Sequence, residues 1–275
     1  MSEAGTGQVT GDGRSWAGRY GPWAVVTGAS DGIGRATTML LAQRGLNVVL
    51  VARRGDLLEQ AAAEARSHGV EARVVIADLG HADGVIRVQR ETADLEVGLL
   101  VAAAGYGTSG PFVESALGAE LDMLDVNCRA VLALTHHYAQ RFATQRRGGI
   151  ILFGSIVGFQ GTPYAAHYAA TKAYVQSLAE ALGVELGPLG VDVLASAPGP
   201  TNSGFASRAG MRMGTALDAE TVARDTLAAL GRKSTVLPGL LTKALTWSLS
   251  TLPRRMRVRV MGRVMAGMTP PPRRQ

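Results

Sequence analysis

Residues 24–34, AVVTGASDGIG, join a short apolar run to a turn that contains Gly28, Gly32 and Gly34. The apolar run predicts a buried strand, and residues 32–44 have the pattern of a helix. Glycine lets the backbone turn sharply and approach a ligand closely, and the start of a helix offers free N–H groups to an anion. The segment therefore predicts a strand–turn–helix unit able to hold a phosphate or pyrophosphate, although a purely structural turn is the alternative.

The same alternation of strand and helix continues along the chain. Apolar runs predict strands at residues 24–27, 46–51, 73–76, 98–102, 149–153 and 192–195. Helical patterns cover residues 32–44, 56–68, 119–146, 164–186 and 218–230. Such alternation predicts an α/β fold, a single Rossmann-type doubly wound parallel sheet with helices on both faces, followed by a C-terminal helical extension. Ligands of such sheets bind beyond the carboxyl ends of the strands.

Composition narrows the class of protein. The chain has 275 residues, a net charge of +6 and one cysteine, Cys128, so an internal disulfide is excluded. Its histidines show no metal-ligand spacing, and residues 1–20 contain no apolar core of a signal peptide. We expect a disordered tail over residues 1–20, one cofactor-binding and catalytic domain over 21–235 and a basic extension over 236–275. A cytoplasmic location is expected, with peripheral membrane association as a possibility.

A tyrosine and a lysine stand four residues apart in the helix predicted over residues 164–186. Tyr168 and Lys172 therefore lie on one helix face. A tyrosine has a pKa near 10, and a nearby ammonium lowers this pKa because it favours the phenolate. Ser155 follows the apolar strand 149–153, where its hydroxyl can reach the same cleft and hydrogen-bond a substrate carbonyl. The spacing alone occurs by chance in many helices, so its position after the glycine loop is what favours a catalytic site.

These features together resemble the short-chain dehydrogenase/reductase superfamily. The loop matches its TGxxxGxG motif at Thr27, Gly28, Gly32 and Gly34, and the resemblance covers roughly residues 22–235. It implies a catalytic set in which Ser155 orients a carbonyl, Tyr168 transfers the proton and Lys172 assists. Asn127 is implied as the fourth member, holding a water that links the lysine to solvent.

The end of the second strand predicts the cofactor. NAD enzymes of this fold usually carry an acid there to bind the ribose 2′-hydroxyl, but this chain has Ala52 followed by Arg53. A guanidinium suits a 2′-phosphate, so NADP(H) is the expected cofactor, in agreement with the resemblance. An arginine pair that merely opens a solvated loop is the alternative interpretation.

The resemblance implies further cofactor contacts along the chain. Asp78 and Leu79 are expected at the adenine, although Asp-Leu is more often a helix cap. Thr201 is expected at the carboxamide, with Ser203 as a rival. Residues 202–214 match a mobile substrate lid, although their composition also suits an ordinary loop. This chain replaces the usual asparagine pair with Ala102 and Ala103, which weakens the match. The expected cofactor-binding set is Gly28, Ser30, Asp31, Gly32, Ile33, Gly34, Arg53, Asp78, Leu79, Ala104, Gly105, Asn127, Tyr168, Lys172, Pro198 and Thr201.

The C-terminal extension leaves three interpretations open. Residues 240–252 are mainly apolar but too short to span a bilayer, and residues 254–268 mix arginine with valine and methionine. The extension could cover the substrate cleft, pack in an oligomer or lie on an anionic membrane surface.

The sequence as a whole predicts an NADPH-dependent enzyme that interconverts a ketone and a secondary alcohol, acting on a lipophilic or acyl-type carbonyl. An alcohol or steroid dehydrogenase working in the oxidative direction and a non-catalytic dinucleotide-binding scaffold are the alternatives. The expected partners are a small-molecule substrate and, from the resemblance, further copies of the chain in a homo-dimer or homo-tetramer. No nucleic acid is expected, because no stacking aromatic residues accompany the basic end.

Overall fold

In the computed structural model, residues 16–202 and 216–268 are described, and within them seven strands form one parallel sheet of order β3-β2-β1-β4-β5-β6-β7. The strands are β1 (Trp23–Thr27), β2 (Asn47–Ala52), β3 (Ala72–Ile76), β4 (Val97–Ala102), β5 (Gly148–Phe153), β6 (Val191–Ser196) and β7 (Thr235–Val236). The chain runs outward from β1 to β3 and then returns to β4 on the other side of β1. This reversal makes the carboxyl ends of β1 and β4 the expected place for a ligand.

Helices cover both faces of this sheet. They are α1 (Trp16–Tyr20), α2 (Gly32–Gln43), α3 (Gly55–Arg66), α4 (Ala82–Glu91), α5 (Leu117–Leu124), α6 (Val131–Gln145), α7 (Ala166–Leu186), α8 (Ala219–Ala229), α9 (Leu240–Ser250) and α10 (Arg254–Met268). A π-helical turn, Asp125–Ala130, joins α5 to α6. Successive residues of β1 supply opposite sides of the sheet: Ala24 and Val26 belong to one core, and Val25 belongs to the other. The predicted doubly wound α/β fold is therefore confirmed.

Residues 16–20, which were predicted to belong to a disordered tail, are ordered in the structure. Trp16–Tyr20 forms a short helix, and the Tyr20 side chain is fully buried. The Tyr20 hydroxyl donates a hydrogen bond of 2.7 Å to Asp192, and the Arg19 guanidinium pairs with the same carboxylate. The side chains of Trp16 and Tyr20 thus pack this segment into the core on one face of the sheet. The neighbouring sequence is rich in glycine and small residues and gave no indication of this tertiary contact. Residues 1–15 lie outside the described part of the chain.

Other elements also differ from those predicted. Helix α4 and strand β7 were not expected, and the single helix expected over residues 119–146 is divided by the π-helical turn. The extension forms two helices, α9 and α10, that both contribute to the wall of the main cavity. In the described residues, none of the helices is long and apolar enough to cross a membrane.

Candidate active site

The glycine loop between β1 and α2 forms a close-fitting backbone turn. Gly28 and Gly32 have φ angles of +69° and +53°, in the left-handed region that glycine tolerates. A Cβ atom on Gly28 would lie 2.9 Å from the Ala104 amide nitrogen, and a Cβ on Gly34 would collide with the Gly28 carbonyl. The loop therefore packs against the segment that follows β4 and places the first amides of α2 at the cavity. This arrangement fits a diphosphate, because helix N-termini bind anions.

Two arginines follow β2 at one end of the cavity. The Arg53 guanidinium lies 3.8 Å from the Asp78 carboxylate, and its side chain is 67% exposed. Arg54 donates a hydrogen bond of 3.1 Å to the Ser30 hydroxyl and lies 3.6 Å from the Asp31 carboxylate. Both guanidinium groups can accordingly meet an additional phosphate next to the loop. The sequence predicted Arg54 only as part of an arginine pair in a solvated loop. Its contacts with Ser30 and Asp31 depend on the tertiary structure.

The Asp78 side chain stabilises a local turn and is not the N-cap of the following helix. Its Oδ1 accepts a hydrogen bond of 2.9 Å from the Gly80 amide, and Oδ2 faces Arg53. Leu79 is buried and lines the same part of the cavity. Asp78 and Leu79 therefore line the same end of the cavity as Arg53 and Arg54. Their contact with an adenine stays a prediction.

A threonine links the two central strands above the loop. The buried Thr27 hydroxyl accepts a hydrogen bond of 3.0 Å from the Ala104 amide. Farther along, a Cβ on Gly105 would lie 3.0 Å from Asn127 Oδ1 and 3.3 Å from Lys172 Nζ. Gly105 therefore lets the backbone pass next to both of these polar side chains. The match to the family motif at Gly105 therefore has a steric basis.

Asn127 lies in the π-helical turn and is almost fully buried. Its Nδ2 donates to the Tyr106 carbonyl at 2.8 Å and to the Thr171 hydroxyl at 3.1 Å, and its Oδ1 accepts from the Tyr106 amide at 3.1 Å. Its side chain is behind the cavity wall, where it ties the segment after β4 to helix α7. Turns of π-helix often occur at functional sites. The expected role in a proton relay stays a prediction.

Ser155, Tyr168 and Lys172 meet on one wall of the cavity, and each is less than a tenth exposed. Ser155 follows β5 and hydrogen-bonds Tyr168, while Tyr168 and Lys172 share one face of α7. The Lys172 ammonium donates a hydrogen bond of 2.8 Å to the Phe153 carbonyl and lies 5.8 Å from the centre of the Tyr168 ring. The spacing in the sequence therefore does bring these three groups together in space.

Burial governs the protonation of this wall. It raises the pKa of Tyr168 above its usual value, and the hydrogen bond from Ser155 only partly opposes this. Burial also lowers the pKa of Lys172 to about 8. The Lys172 ammonium lies 5.8 Å from the centre of the Tyr168 ring, and its expected effect on the tyrosine pKa stays a prediction. Because burial raises its pKa, Tyr168 is protonated at neutral pH and suited to donate a proton.

The turn after β6 closes the other side of the cavity. The Pro198 carbonyl accepts a hydrogen bond of 3.2 Å from the Ile156 amide. The Thr201 hydroxyl donates to the Gly199 carbonyl at 3.0 Å, and both Pro198 and Thr201 line the cavity. The Gly199 amide donates to the buried Thr242 hydroxyl at 3.3 Å, so helix α9 is fastened to this turn. The rival Ser203 and most of the expected lid lie outside the described residues.

One cavity of about 710 Å³ unites these features. Except for Asn127, every residue predicted for the cofactor or for catalysis lines it. Of the three interpretations of the extension, the one in which it covers the cleft agrees with the cavity wall, although the sequence did not identify the lining residues. These are Leu245, Ser248, Leu249, Val260, Met261, Val264, Met265 and Met268. Met265 packs in one apolar cluster with Tyr168. The helical spacing of Met261, Val264, Met265 and Met268 was the available signal for this face.

Comparison with known proteins agrees with this geometry. The family model described as short chain dehydrogenase matches residues 22–212. A 7beta-hydroxysteroid dehydrogenase of Clostridium sardiniense is 34% identical over 233 residues, which cover 82% of this chain and 88% of that protein.

Solved structures give the same result. The structure of a 7beta-hydroxysteroid dehydrogenase aligns with a TM-score of 0.83 and 29% identity, over 89% of this chain and 98% of the other. A short-chain dehydrogenase from Sphingobium yanoikuyae in complex with NADPH aligns with a TM-score of 0.76 and 30% identity, over 85% of this chain and 97% of the other.

Proposed function

This chain belongs to the short-chain dehydrogenase family, enzymes that act on alcohol and carbonyl groups, and from that premise we propose that it reduces a bulky lipophilic ketone with NADPH. The observation that carries the proposal is the buried wall of Ser155, Tyr168 and Lys172 in the cavity that also holds the glycine loop. A non-catalytic scaffold would not require these three polar side chains to converge in an apolar site.

The three side chains divide the work. NADPH, when bound, supplies a hydride to the carbonyl carbon. The Ser155 hydroxyl hydrogen-bonds the carbonyl oxygen, and the Tyr168 hydroxyl donates its proton to that oxygen as negative charge develops on it. Lys172, held by the Phe153 carbonyl, places a positive charge next to the phenolate that remains. Asn127 fixes the position of α7 relative to the segment after β4.

Reduction is the first direction to test because of the protonation state of Tyr168. A tyrosine whose pKa is raised by burial is a proton donor at neutral pH, which suits reduction. Oxidation of an alcohol requires the same group as the phenolate, which burial disfavours. The oxidative enzyme is the second candidate, and the ratio of oxidised to reduced cofactor decides between the two directions.

The choice of NADPH rests on the end of β2. Ala52 offers no carboxylate to a ribose 2′-hydroxyl, while the exposed Arg53 and the loop-bound Arg54 offer two guanidinium groups. A similar protein of known structure was solved with NADPH. Together these observations favour the phosphorylated dinucleotide.

The substrate class rests on the opposite wall. Helices α9 and α10 contribute mainly leucine, valine and methionine to the cavity, which suits a wide apolar substrate. Relatives that act on hydroxysteroids support a ring system of that size.

The test is a panel of ketones followed by NADPH oxidation at neutral pH. The panel contains oxo-steroids, long-chain β-keto esters and small ketones such as cyclohexanone, each assayed with NADPH and with NADH. We expect turnover of oxo-steroids with NADPH to exceed that of the small ketones. Absence of turnover with every ketone and both cofactors, by protein that binds NADPH in a fluorescence titration, would favour the scaffold.

We also propose that the chain forms a homo-dimer or homo-tetramer through α6 and α7. Their outer faces expose the apolar side chains of Leu132, Tyr174 and Val184. Sedimentation velocity measures the assembly, and a monomer at micromolar concentration would contradict this proposal.

A further inference from the structure

The charges of this chain are divided between its two ends. Asp225 is the last acidic residue, so all 22 acidic residues lie in residues 1–225, together with 18 basic residues. The remaining residues, 226–275, contain ten basic residues and no acid. The main part of the chain is therefore net negative, and the overall charge of +6 comes from the C-terminal segment. Such asymmetry is typical of a segment that binds an anionic surface.

Helices α9 and α10 follow one another along the chain, and the segment Leu240–Met268 that they form is called the C-terminal hairpin. It displays part of this charge on the side away from the cavity. Both helices turn one face to the cavity, as Leu249 and Met261 show. On the opposite faces, Lys243, Arg255, Arg259 and Arg263 are exposed. Among the residues that the structure describes, no carboxylate forms an ion pair with any of these four.

Large apolar side chains occupy the same outer faces. Leu240 is 81% exposed, Trp247 is 72% exposed and Met256 is 48% exposed, and none of them lines the cavity. Exposed tryptophan, leucine and methionine between basic residues are the composition of helices that lie in the interface of a bilayer. A nucleic acid would use the positive charge, but it offers no reason to expose Leu240 and Met256.

We propose that the outer face of the α9–α10 hairpin, formed by Leu240, Lys243, Trp247, Arg255, Met256, Arg259 and Arg263, docks on the surface of an anionic lipid membrane. The apolar side chains enter the interface, and the basic ones meet the lipid phosphates. Because the inner face of the same hairpin lines the cavity, docking sets the wall of the active site against the bilayer. This inference concerns binding alone and holds whichever substrate the enzyme takes.

The first test measures co-sedimentation of the full chain with vesicles. Vesicles of phosphatidylcholine with 30% phosphatidylglycerol are compared with pure phosphatidylcholine, in 0.1 M and in 1 M NaCl. We expect binding to the anionic vesicles at 0.1 M NaCl, and release at 1 M, where the screening length falls from about 10 Å to about 3 Å. Equal binding to both kinds of vesicle, or to neither, would overturn the proposal.

Two sets of variants assign the binding to this face. The triple variant R255Q/R259Q/R263Q is expected to lower the partition coefficient about a hundredfold, given the usual contribution of one basic residue at a membrane. The double variant R87Q/R90Q on α4 alters exposed arginines elsewhere and serves as the control, which should retain binding. An equal loss in both variants would mean that net charge, and not this face, causes the attraction.

Tryptophan fluorescence shows which side chains enter the bilayer. Trp16 and Trp23 are each 9% exposed, so Trp247 is the accessible indole of the described residues. Brominated lipid in the anionic vesicles should quench the emission of the wild type, and Trp247→Phe should abolish that quenching. Unquenched Trp247 would contradict insertion.

Two other outcomes would overturn the proposal. Displacement of the protein from the vesicles by single-stranded RNA would assign the face to nucleic acid, and a shift from dimer to monomer in the triple variant would assign it to a second copy of the chain.

Discussion

The glycine loop and the catalytic wall are built in a different way from the C-terminal hairpin. In the first region, backbone and polar groups fix each position: Gly28 has no room for a side chain, and Asn127 hydrogen-bonds both the amide and the carbonyl of Tyr106. In the hairpin, apolar side chains such as Met261 and Met265 make the contacts, and one threonine, Thr242, fastens it to the turn after β6. Directional contacts define one geometry, whereas apolar contacts tolerate exchange.

This difference suggests that the catalytic wall carries out the chemistry and that the hairpin selects the substrate. A change in the catalytic wall should affect every substrate alike, because every substrate needs the same proton. A change in the hairpin should affect large substrates more than small ones. The predictions below test this division, and each pairs a residue of one region with a matched control.

Tyr168→Phe should produce the largest effect. Loss of the proton donor is expected to lower kcat about a thousandfold for all ketones, while the fold and the affinity for NADPH are kept. Tyr174→Phe is the control, since Tyr174 lies on the same helix and is 38% exposed. The measurement is kcat for one large and one small ketone. A residual rate above a tenth of the wild type would remove Tyr168 from the proposed role.

Arg53→Ala should change the cofactor preference. Loss of a charge-assisted hydrogen bond to a 2′-phosphate corresponds to about a thirtyfold fall in the ratio of kcat/KM for NADPH to that for NADH. Arg66→Ala is the control, because Arg66 forms an ion pair of the same 3.8 Å length with Glu59, away from the cavity. An unchanged ratio would transfer the role to Arg54 and, if Arg54→Ala also left it unchanged, would contradict NADPH recognition at this end of the cavity.

The catalytic region was also easier to predict from the sequence than the rest. The TGxxxGxG loop and the pair Tyr168–Lys172 have fixed spacings, so local geometry already brings them to the ends of strands. The strands were found because a continuous apolar run such as 98–102 marks burial on both faces. Helix α4 was missed because its buried side depends on little more than Val85 and Val88, while Ile86 is 56% exposed.

Long-range contacts account for the other omissions. Strand β7 has two residues and exists because β6 presents an edge to pair with. The docking of Trp16–Tyr20 requires Asp192, which is remote in sequence. The π-helical turn at Asn127 likewise depends on hydrogen bonds to Tyr106 and Thr171. No periodicity within a short window contains such information. The position of α9 and α10 over the cavity was one of three interpretations that the sequence left open, because an apolar helix face does not by itself identify what covers it.

Met261→Ala tests the hairpin. Met261 is 7% exposed and lines the cavity, so its truncation removes apolar contact with a wide substrate. We expect KM for the largest ketone to rise about tenfold, as for the loss of roughly 50 Å² of apolar contact, with little change in kcat. Met256→Ala is the control on the outer side of the same helix. A KM that rises equally for large and small ketones would show that the hairpin supports the site as a whole and does not select substrates.

Lys172→Met tests how much the buried lysine of the catalytic wall lowers the stability of the folded protein, through the pH dependence of the free energy of unfolding. In the folded protein the pKa of Lys172 is lowered to about 8 from 10.5, so between these values the unfolded chain binds more protons than the folded one. The free energy of unfolding of the wild type therefore gains a contribution that rises with pH, by about 1 kcal/mol between pH 8 and pH 9. The variant lacks this contribution, and other groups cancel in the difference between the two proteins. Urea denaturation at the two pH values measures it.

The same substitution in the hairpin completes the comparison. Lys243 is exposed on α9, so Lys243→Met should leave the difference from wild type constant between pH 8 and pH 9. A rising difference for Lys172 alone would mean that the catalytic region holds its ammonium at the expense of stability, because burial opposes the charged form. A constant difference for both lysines would mean that Lys172 is solvated in the folded protein, which would contradict its burial in the catalytic wall.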